Sequence, residues 1–450
     1  MSEHKSVFEV FKNLNYRKLF FAMFTQQFGS VVGMMAFTFY LLDHFAEQPR
    51  YVTITELMFS IPTLLLFFIV GVVADRFDRL KIAYSSDWIR AGITLLMILA
   101  IYLQSIPFFI FLLFLRSSVA KFFIPAEAAL VQGILKDDEF TSAAGLNQMM
   151  GSIFNIFGIG IAALLYRSVG IYGTIILDAL CFCISGILIH SCRIPKEVRL
   201  PNGKSSWNEF NVKSVLHDFK NGLQYILHYP LLRNLMIGFF FLGIVNGGFS
   251  VAPQFYLRYE IANEDTYQQF MAILGIIFGI GILIGSIIAS KVAQRVQLHI
   301  MLIGGLIGSG LAVFIMSIAS WLTNSDHILF SLGGLQFSTT HLFFFSGTVL
   351  LALCLAFCNV GLGGWLPRVV DKNMMGRVQG WIDPLIMLAH TATLGVILLI
   401  YPLWVPTVAL FYIISGALLL SGIFYLIKLP HLVKYSEKTP EIAEESAPVN

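Results

Sequence analysis

The sequence predicts an all-α membrane protein, with twelve transmembrane helices in two six-helix bundles and both termini cytoplasmic. Three observations carry that expectation. The 450 residues are 57% hydrophobic, include 41 Phe and have a mean hydropathy of +0.78, which is more apolar surface than a water-soluble fold of this size can hide. The apolar residues fall into twelve stretches, each near the roughly 20 residues that a helix needs to cross a hydrocarbon core. Lys and Arg alternate between dense and sparse on successive links, and the positive-inside bias turns that alternation into an orientation.

The first span, near 19–42, follows a polar start carrying Lys5, Lys12, Arg17 and Lys18. That start lacks the apolar core of a cleavable leader. Spans near 53–74 and 82–104 flank the charged link GVVADRFDRLK, residues 71–81, and a fourth near 107–131 closes before Lys136. The fifth and sixth, near 142–166 and 170–191, are separated only by a short link at Arg167. Cys192 to Pro230 is the one long hydrophilic segment; it holds Pro195, Pro201, Asn202 and Gly203 and an amphipathic helix around Val212 to His228. Six further spans follow, near 231–256, 268–290, 298–322, 343–366, 377–400 and 404–428. The tail after Leu432, VKYSEKTPEIAEESAPVN, is acidic and poor in apolar residues, a composition that predicts disorder. The expected organisation is therefore a bundle over 1–191, a cytoplasmic linker over 192–230, a second bundle over 231–430 and a tail over 431–450.

Counted from an inside N-terminus, the inner links hold Arg76, Arg79, Lys81 and Lys136, then Arg193, Lys196, Arg199, Lys204, Lys213, Lys220 and Arg233 in the linker region. Lys291, Arg295, Arg368, Lys372, Arg377 and Lys428 continue the series on the same side, whereas the outer links hold only Arg50, Arg167 and Arg258. The expectation is a multi-pass protein of the cell membrane with cytoplasmic termini and linker.

Composition and motifs also set classes aside. The net charge of +3 is scattered, and no basic patch is interleaved with stacking aromatics, so nucleic acid is not an expected partner. The five cysteines, Cys181, Cys183, Cys192, Cys354 and Cys358, sit in or beside apolar stretches as small hydrophobes, without ligand spacing for a metal. No nucleotide-binding Gly-Lys loop, nucleophile elbow or His–carboxylate cluster appears, so no enzyme and no cofactor is expected. Transport would draw on a gradient.

The two halves echo each other. GSIIASKVAQR, Gly285 to Arg295, occupies the place in the second half that GVVADRFDRLK holds in the first, as parallel internal repeats would leave it. The pattern Gly71-x-x-x-Asp75-Arg76-x-x-Arg79-x-Lys81, between spans two and three of a six-plus-six chain, resembles the signature loop of the major facilitator superfamily. That resemblance implies the major facilitator fold, with the loop as a latch between halves: Gly71 lets helices close at the turn and Asp75 docks near Gly376 and Arg377. The alternative is a solvated, positive-inside turn. DWIRAG (Asp87 to Gly92), FFIPAEAALV (Phe122 to Val131), AAGLNQMMGSI (Ala143 to Ile153) and LPRVVDKNMMGRVQG (Leu366 to Gly380) are similar to the branch of drug and proton antiporters that includes macrolide-efflux and siderophore-export proteins. The resemblance implies a secondary exporter of amphipathic small molecules of drug or macrolide type, by proton antiport and as a monomer in the lipid. A lysophospholipid flippase or a siderophore or metabolite exporter of the same fold is the alternative.

Ionisable groups within spans are costly, about 2.5–3.5 kcal/mol each on insertion scales, and so are candidates for function. Arg116 lies in the fourth span, in a place that resembles the family's fourth-span arginine motif, associated with proton coupling; Ala120 and Lys121 stand where that motif continues with Gly. An arginine keeps its proton, so it would act on a neighbouring acid. Asp178, at similar depth in span six, is the expected partner, either for coupling or as a static packing pair. Lys121 points to an aqueous cavity and anionic groups, or pairs with Glu127 or Asp178. Asp43 and Glu56 read as interfacial acids. Asp87 and Arg90, spaced i to i+3, support the Asp75 latch or simply pair. Asp383 precedes Pro384 in span eleven, and His390 lies two turns deeper, as a proton site or a packing residue. Gln26, Gln27, Asn147, Gln148 and Asn246 avoid lipid and line a cavity or bond between helices.

Overall fold

A computed structural model of the chain describes residues 7–45, 48–136, 139–200, 220, 223–262, 266–319, 321, 327–332, 334–370 and 375–437. The side chains of Gly71, Asp75, Arg76, Gln148, Gly376 and Arg377 lie outside the description, as do most of the predicted linker helix and the tail beyond 437. Two compact units divide the chain: Met1–Asn211 with Asn263–Gly279, and Val212–Ala262 with Ile280–Asn450.

The first unit is built from α1 (Leu14–His44), α2 (Arg50–Arg76), α3 (Arg79–Tyr102), α4 (Ile106–Ile134), α5 (Phe140–His190) and the short α6 (Lys196–Arg199). Asn13 caps α1: its side-chain oxygen accepts from the backbone N–H groups of Asn15 and Tyr16 at 3.1 and 3.2 Å, satisfying donors that the first turn leaves open. Asp78 caps α3 in the same way, accepting from Leu80 and Lys81 at 3.0 and 3.2 Å. The link between α2 and α3 is thus only Phe77 and Asp78, and the rest of the charged stretch is helical.

The 51-residue α5 would be roughly 76 Å long if straight, far more than one membrane crossing needs. It reverses at Gly170, where φ is 67° and ψ is −173°. Its two limbs run along α1 in opposite senses. Ala143 and Leu146 pack with Tyr16 at the start of α1, Tyr166 donates to Asp43 near its end at 3.0 Å, and Arg193 returns to Asn15, its N–H donating to Oδ1 at 3.0 Å. A backbone at that φ and ψ is open essentially to glycine alone, so one residue replaces a loop.

The second unit holds α7 (Pro230–Tyr256), the later part of α8 (Tyr267–Val292), α9 (Leu298–Ile318), α10 (Thr339–Val369), α11 (Met375–Ile400) and α12 (Thr407–Glu437). Small residues let α8 approach α10: a Cβ on Gly281 would stand 2.6 Å from Ala352 Cβ, and one on Gly285 2.8 Å from Ala356 Cβ. Tyr256 is fully buried, stacks on Phe344 at 5.3 Å and donates to the Met316 carbonyl at 3.1 Å. Between α9 and α10 stands an antiparallel hairpin, β1 (Ile328–Leu332) and β2 (Leu335–Ser338), with Gly334 at φ 85° in its turn. The hydropathy pattern did not predict this hairpin, because its period of two is only four or five residues long.

Eleven helices among the described residues are long and apolar enough to cross a membrane. Their outward faces carry exposed Leu65, Leu164, Ile287, Leu399 and Leu420, an apolar exterior that suits lipid and not water. The protein is a multi-pass helical membrane protein.

Candidate functional site

In the first unit α1, α2, α3, α4 and the first limb of α5 enclose a cavity of about 430 Å³. From α1 it takes Met23, Gln26, Gln27, Ser30, Val31 and Met34, a stripe at helical spacing. The edge of the same helix turned toward the second limb of α5 carries Gly29 and Gly33. A Cβ on Gly29 would stand 2.7 Å from Cys181 Cβ and 2.9 Å from Asp178 Oδ1, and Gly33 abuts the same carboxylate. Only glycine lets the two helices close this far.

From α4 come Arg116, Ser117, Ala120, Lys121, Phe123, Ile124 and Glu127, joined by Phe59 of α2, Arg90 of α3 and Met150 of α5. Arg116, Ala120, Phe123 and Glu127 fall on one helical face. Pro125 within α4 cannot donate to the carbonyl of Lys121, so the helix carries a freed backbone acceptor beside this wall.

The buried charges are paired in part. Arg116 Nη2 donates to Asp178 Oδ2 at 2.6 Å, with both residues almost fully buried. Arg90 Nη2 donates to Ser30 Oγ at 3.1 Å, and its Nη1 lies 3.6 Å from Asp87 Oδ1, an ionic contact too long for a hydrogen bond. Ser185 holds the other Asp87 oxygen at 2.6 Å. Both guanidinium groups face the ring of Phe182, at 4.0 Å for Arg90 and 5.2 Å for Arg116, and the ring's negative face offsets some of the cost of keeping two cations close. Arg116 Nε and Nη1, Arg90 Nε and Glu127 Oε1 are buried without a hydrogen-bond partner among the described residues. Neither Lys121 nor Glu127 forms an ion pair among the described residues.

The structure thus brings Gln26, Gln27, Arg90, Arg116, Lys121 and Glu127 to one cavity and sets Asp178 and Asp87 behind its wall. Asn147 is not among the lining residues. Asn246, Asp383 and His390 belong to the other unit, where Asn246 and Asp383 are exposed and His390 is partly buried. Asp43 accepts hydrogen bonds from Tyr166 at 3.0 Å, Tyr267 at 2.8 Å and Gln268 at 3.2 Å. Glu56 is buried in α2. No group of His, Cys, Asp and Glu among the described residues is arranged to hold a metal ion.

Of the charged link, Arg79 Nη1 donates to the Val198 carbonyl at 3.3 Å and Lys81 is exposed; Gly71, Asp75 and Arg76 have side chains outside the described residues. Asp78 also accepts from Arg199 Nε at 3.1 Å, which raises the arginine's pKa further above its ordinary value. The Asp78–Arg199 pair, Ser30, Phe182 and Ser185 were not singled out from sequence. An acid immediately before a helical stretch is a cap signal, and Gly29-x-x-x-Gly33 is a close-approach signal; both stand in the sequence.

A polytopic helical bundle enclosing a cavity lined with buried charge is the architecture of a membrane transporter. The chain belongs to the Major Facilitator Superfamily, whose sequence profile matches residues 19–333. It is 43% identical over 440 residues to the uncharacterized MFS-type transporter YkuC of Bacillus subtilis, covering 98% of this chain and 97% of that one. Macrolide efflux protein A of Streptococcus pyogenes is 29% identical over 188 residues, 40% of this chain and 46% of the relative. Among solved structures, a POT family transporter in complex with a thioalcohol-conjugated peptide shares the fold with a TM-score of 0.68 at 12% identity, over 93% of this chain and 96% of that one.

Proposed function

We propose that this chain is a secondary active exporter of amphipathic small molecules, of the drug or macrolide type, working by alternating access and proton antiport. The observation that carries this proposal is the cavity in the first unit, in which Gln26, Gln27, Ser30 and three cationic side chains share a wall with Met23, Met34, Phe59, Phe123, Ile124 and Met150. A mixed lining of that kind receives a molecule with one polar and one apolar end, and Met adapts to varied shapes. The likeness to macrolide efflux protein A over part of the chain supports export. A lysophospholipid flippase or a siderophore or metabolite exporter is the second reading, favoured by the cationic share of the same wall.

Twelve crossings follow if the two limbs of α5 each span the membrane, and the basic inner links then put both termini on the cytoplasmic side of the cell membrane. Bundles over 1–191 and 231–430, joined by a cytoplasmic linker, act as the two halves of a monomer, with Asp75 as latch. Protons entering down the gradient supply about 2.3 kcal/mol per charge per 100 mV. Arg116 keeps its proton, so the carried proton resides on an acid, Asp178 behind Arg116 or Glu127 on the cavity wall.

Efflux of labelled macrolides and lipophilic cations from cells expressing the wild type, with and without a protonophore, tests the proposal. Lowered accumulation that the protonophore restores is expected; a well-expressed protein that moves none of the panel moves the weight to lysolipids and siderophores.

A further inference from the structure

Arg116, Lys121 and Glu127 are spaced along α4 so that Lys121 lies about 7.5 Å, and Glu127 about 16 Å, beyond Arg116 on the helix axis. Arg90 joins Arg116 over the Phe182 ring. The cavity's charge is therefore polarised: the two arginines stand at one end, Glu127 at the other, and Lys121 between them. Asp87 and Asp178, which offset the arginines, are fully buried and do not line the cavity. The charged groups that a ligand would meet at this end are donors only, set beside the neutral hydroxyls of Ser30 and Ser117.

Those donors are incompletely used. Arg116 commits one nitrogen to Asp178, while its Nε and Nη1, and Arg90 Nε, have no hydrogen-bond acceptor among the described residues although the two arginines are only 3% and 5% exposed. Buried N–H donors of a cation without acceptors are costly, and the planar guanidinium fork matches a carboxylate or phosphate through paired hydrogen bonds. Lys121 adds a charge with no ion-pair partner among the described residues.

We infer that the polar end of the cargo is an anion, a carboxylate or phosphate seated among Arg90, Arg116 and Lys121, with an apolar body against Met34 and Phe59. This rests on the exporter proposal for its direction of transport but not for its binding, and it narrows that proposal's cargo to anionic amphipaths in place of lipophilic cations. A cationic amphipath would meet the Lys121 charge, which no acid pairs among the described residues, beside two guanidinium groups that Asp178 and Asp87 offset from behind, so the site discriminates by charge.

The test is equilibrium binding of octyl phosphate, octanoate, octyltrimethylammonium and inorganic phosphate to the full chain in phosphatidylcholine nanodiscs, with empty nanodiscs as the blank. Octyl phosphate is expected to bind at least about ten-fold more tightly than octyltrimethylammonium, and Lys121→Gln to lose about ten-fold for the anion alone, with Lys121→Arg restoring most of it. Lys121 is the residue to change because removing it orphans no buried acid. Equal or tighter binding of the ammonium probe overturns the inference, and inorganic phosphate binding as tightly as octyl phosphate overturns its amphipathic part. Flux measured separately keeps the two proposals apart. Anion binding without transport leaves this inference standing and removes the exporter; export of cations without anion preference does the reverse.

Discussion

Arg116 and Asp178, 62 residues apart in sequence, meet through a 2.6 Å hydrogen bond between α4 and the returning limb of α5. Neither has another full-charge partner that close among the described residues. Breaking such a pair from one side strands a charge in the interior, at about 3–5 kcal/mol. Arg116→Met is therefore expected to lower thermal stability sharply in detergent, and Arg116→Met with Asp178→Leu to recover most of it. If the pair serves coupling, the double variant folds and does not pump; a double variant that pumps normally makes the pair purely structural.

Gly33 lies against the Asp178 carboxylate with no room for a side chain. Gly33→Val must push α1 away from α5 or turn the acid from Arg116, and overpacking of this kind costs about 1–3 kcal/mol. A lower melting temperature is expected, with Gly92→Ala, whose Cβ meets nothing within 4 Å, as the neutral control.

The reversal of α5 rests on backbone conformation alone. Nothing stands within 4 Å of a Cβ built on Gly170, where φ is +67°, so Gly170→Ala carries a cost of conformation without a clash, about 1–3 kcal/mol. The melting temperature of the variant measures it, and an unchanged value contradicts the reversal at this residue.

Much of this architecture was legible in hydropathy because a bilayer imposes one demand, a long apolar helix, on every span. Spans near 142–166 and 170–191 were separable in sequence because Arg167 and its neighbours interrupt the apolar run, and the structure has two helical limbs there that meet at Gly170 without an intervening loop. Arg116, Lys121 and Glu127 stood out as charges in apolar surroundings. Their meeting with Arg90 did not, since Arg90 sits near the end of its span and spacing to Asp87 explains it locally. Phe182 was invisible for the opposite reason: one ring among 41 Phe carries no signal until two guanidinium groups are seen to face it.

Asp78 does two jobs at the α2–α3 link, capping α3 and accepting from Arg199. Loss of a cap costs about 0.5–2 kcal/mol, whereas a partly exposed ion pair contributes under about 1 kcal/mol. Asp78→Ala is expected to destabilise the protein more than Arg199→Ala, read by thermal unfolding of both; equal losses would make the pair, which both variants remove, the main anchor of the link.

Proton-coupled export by this cavity is tested most directly in proteoliposomes made acid inside, by following uptake of a labelled amphipath that the protein binds. The account predicts accumulation above equilibrium in wild-type vesicles, abolished when the pH gradient is collapsed and absent in the Arg116→Met, Asp178→Leu variant. Uptake that stops at equilibrium whether or not a gradient is imposed would contradict it.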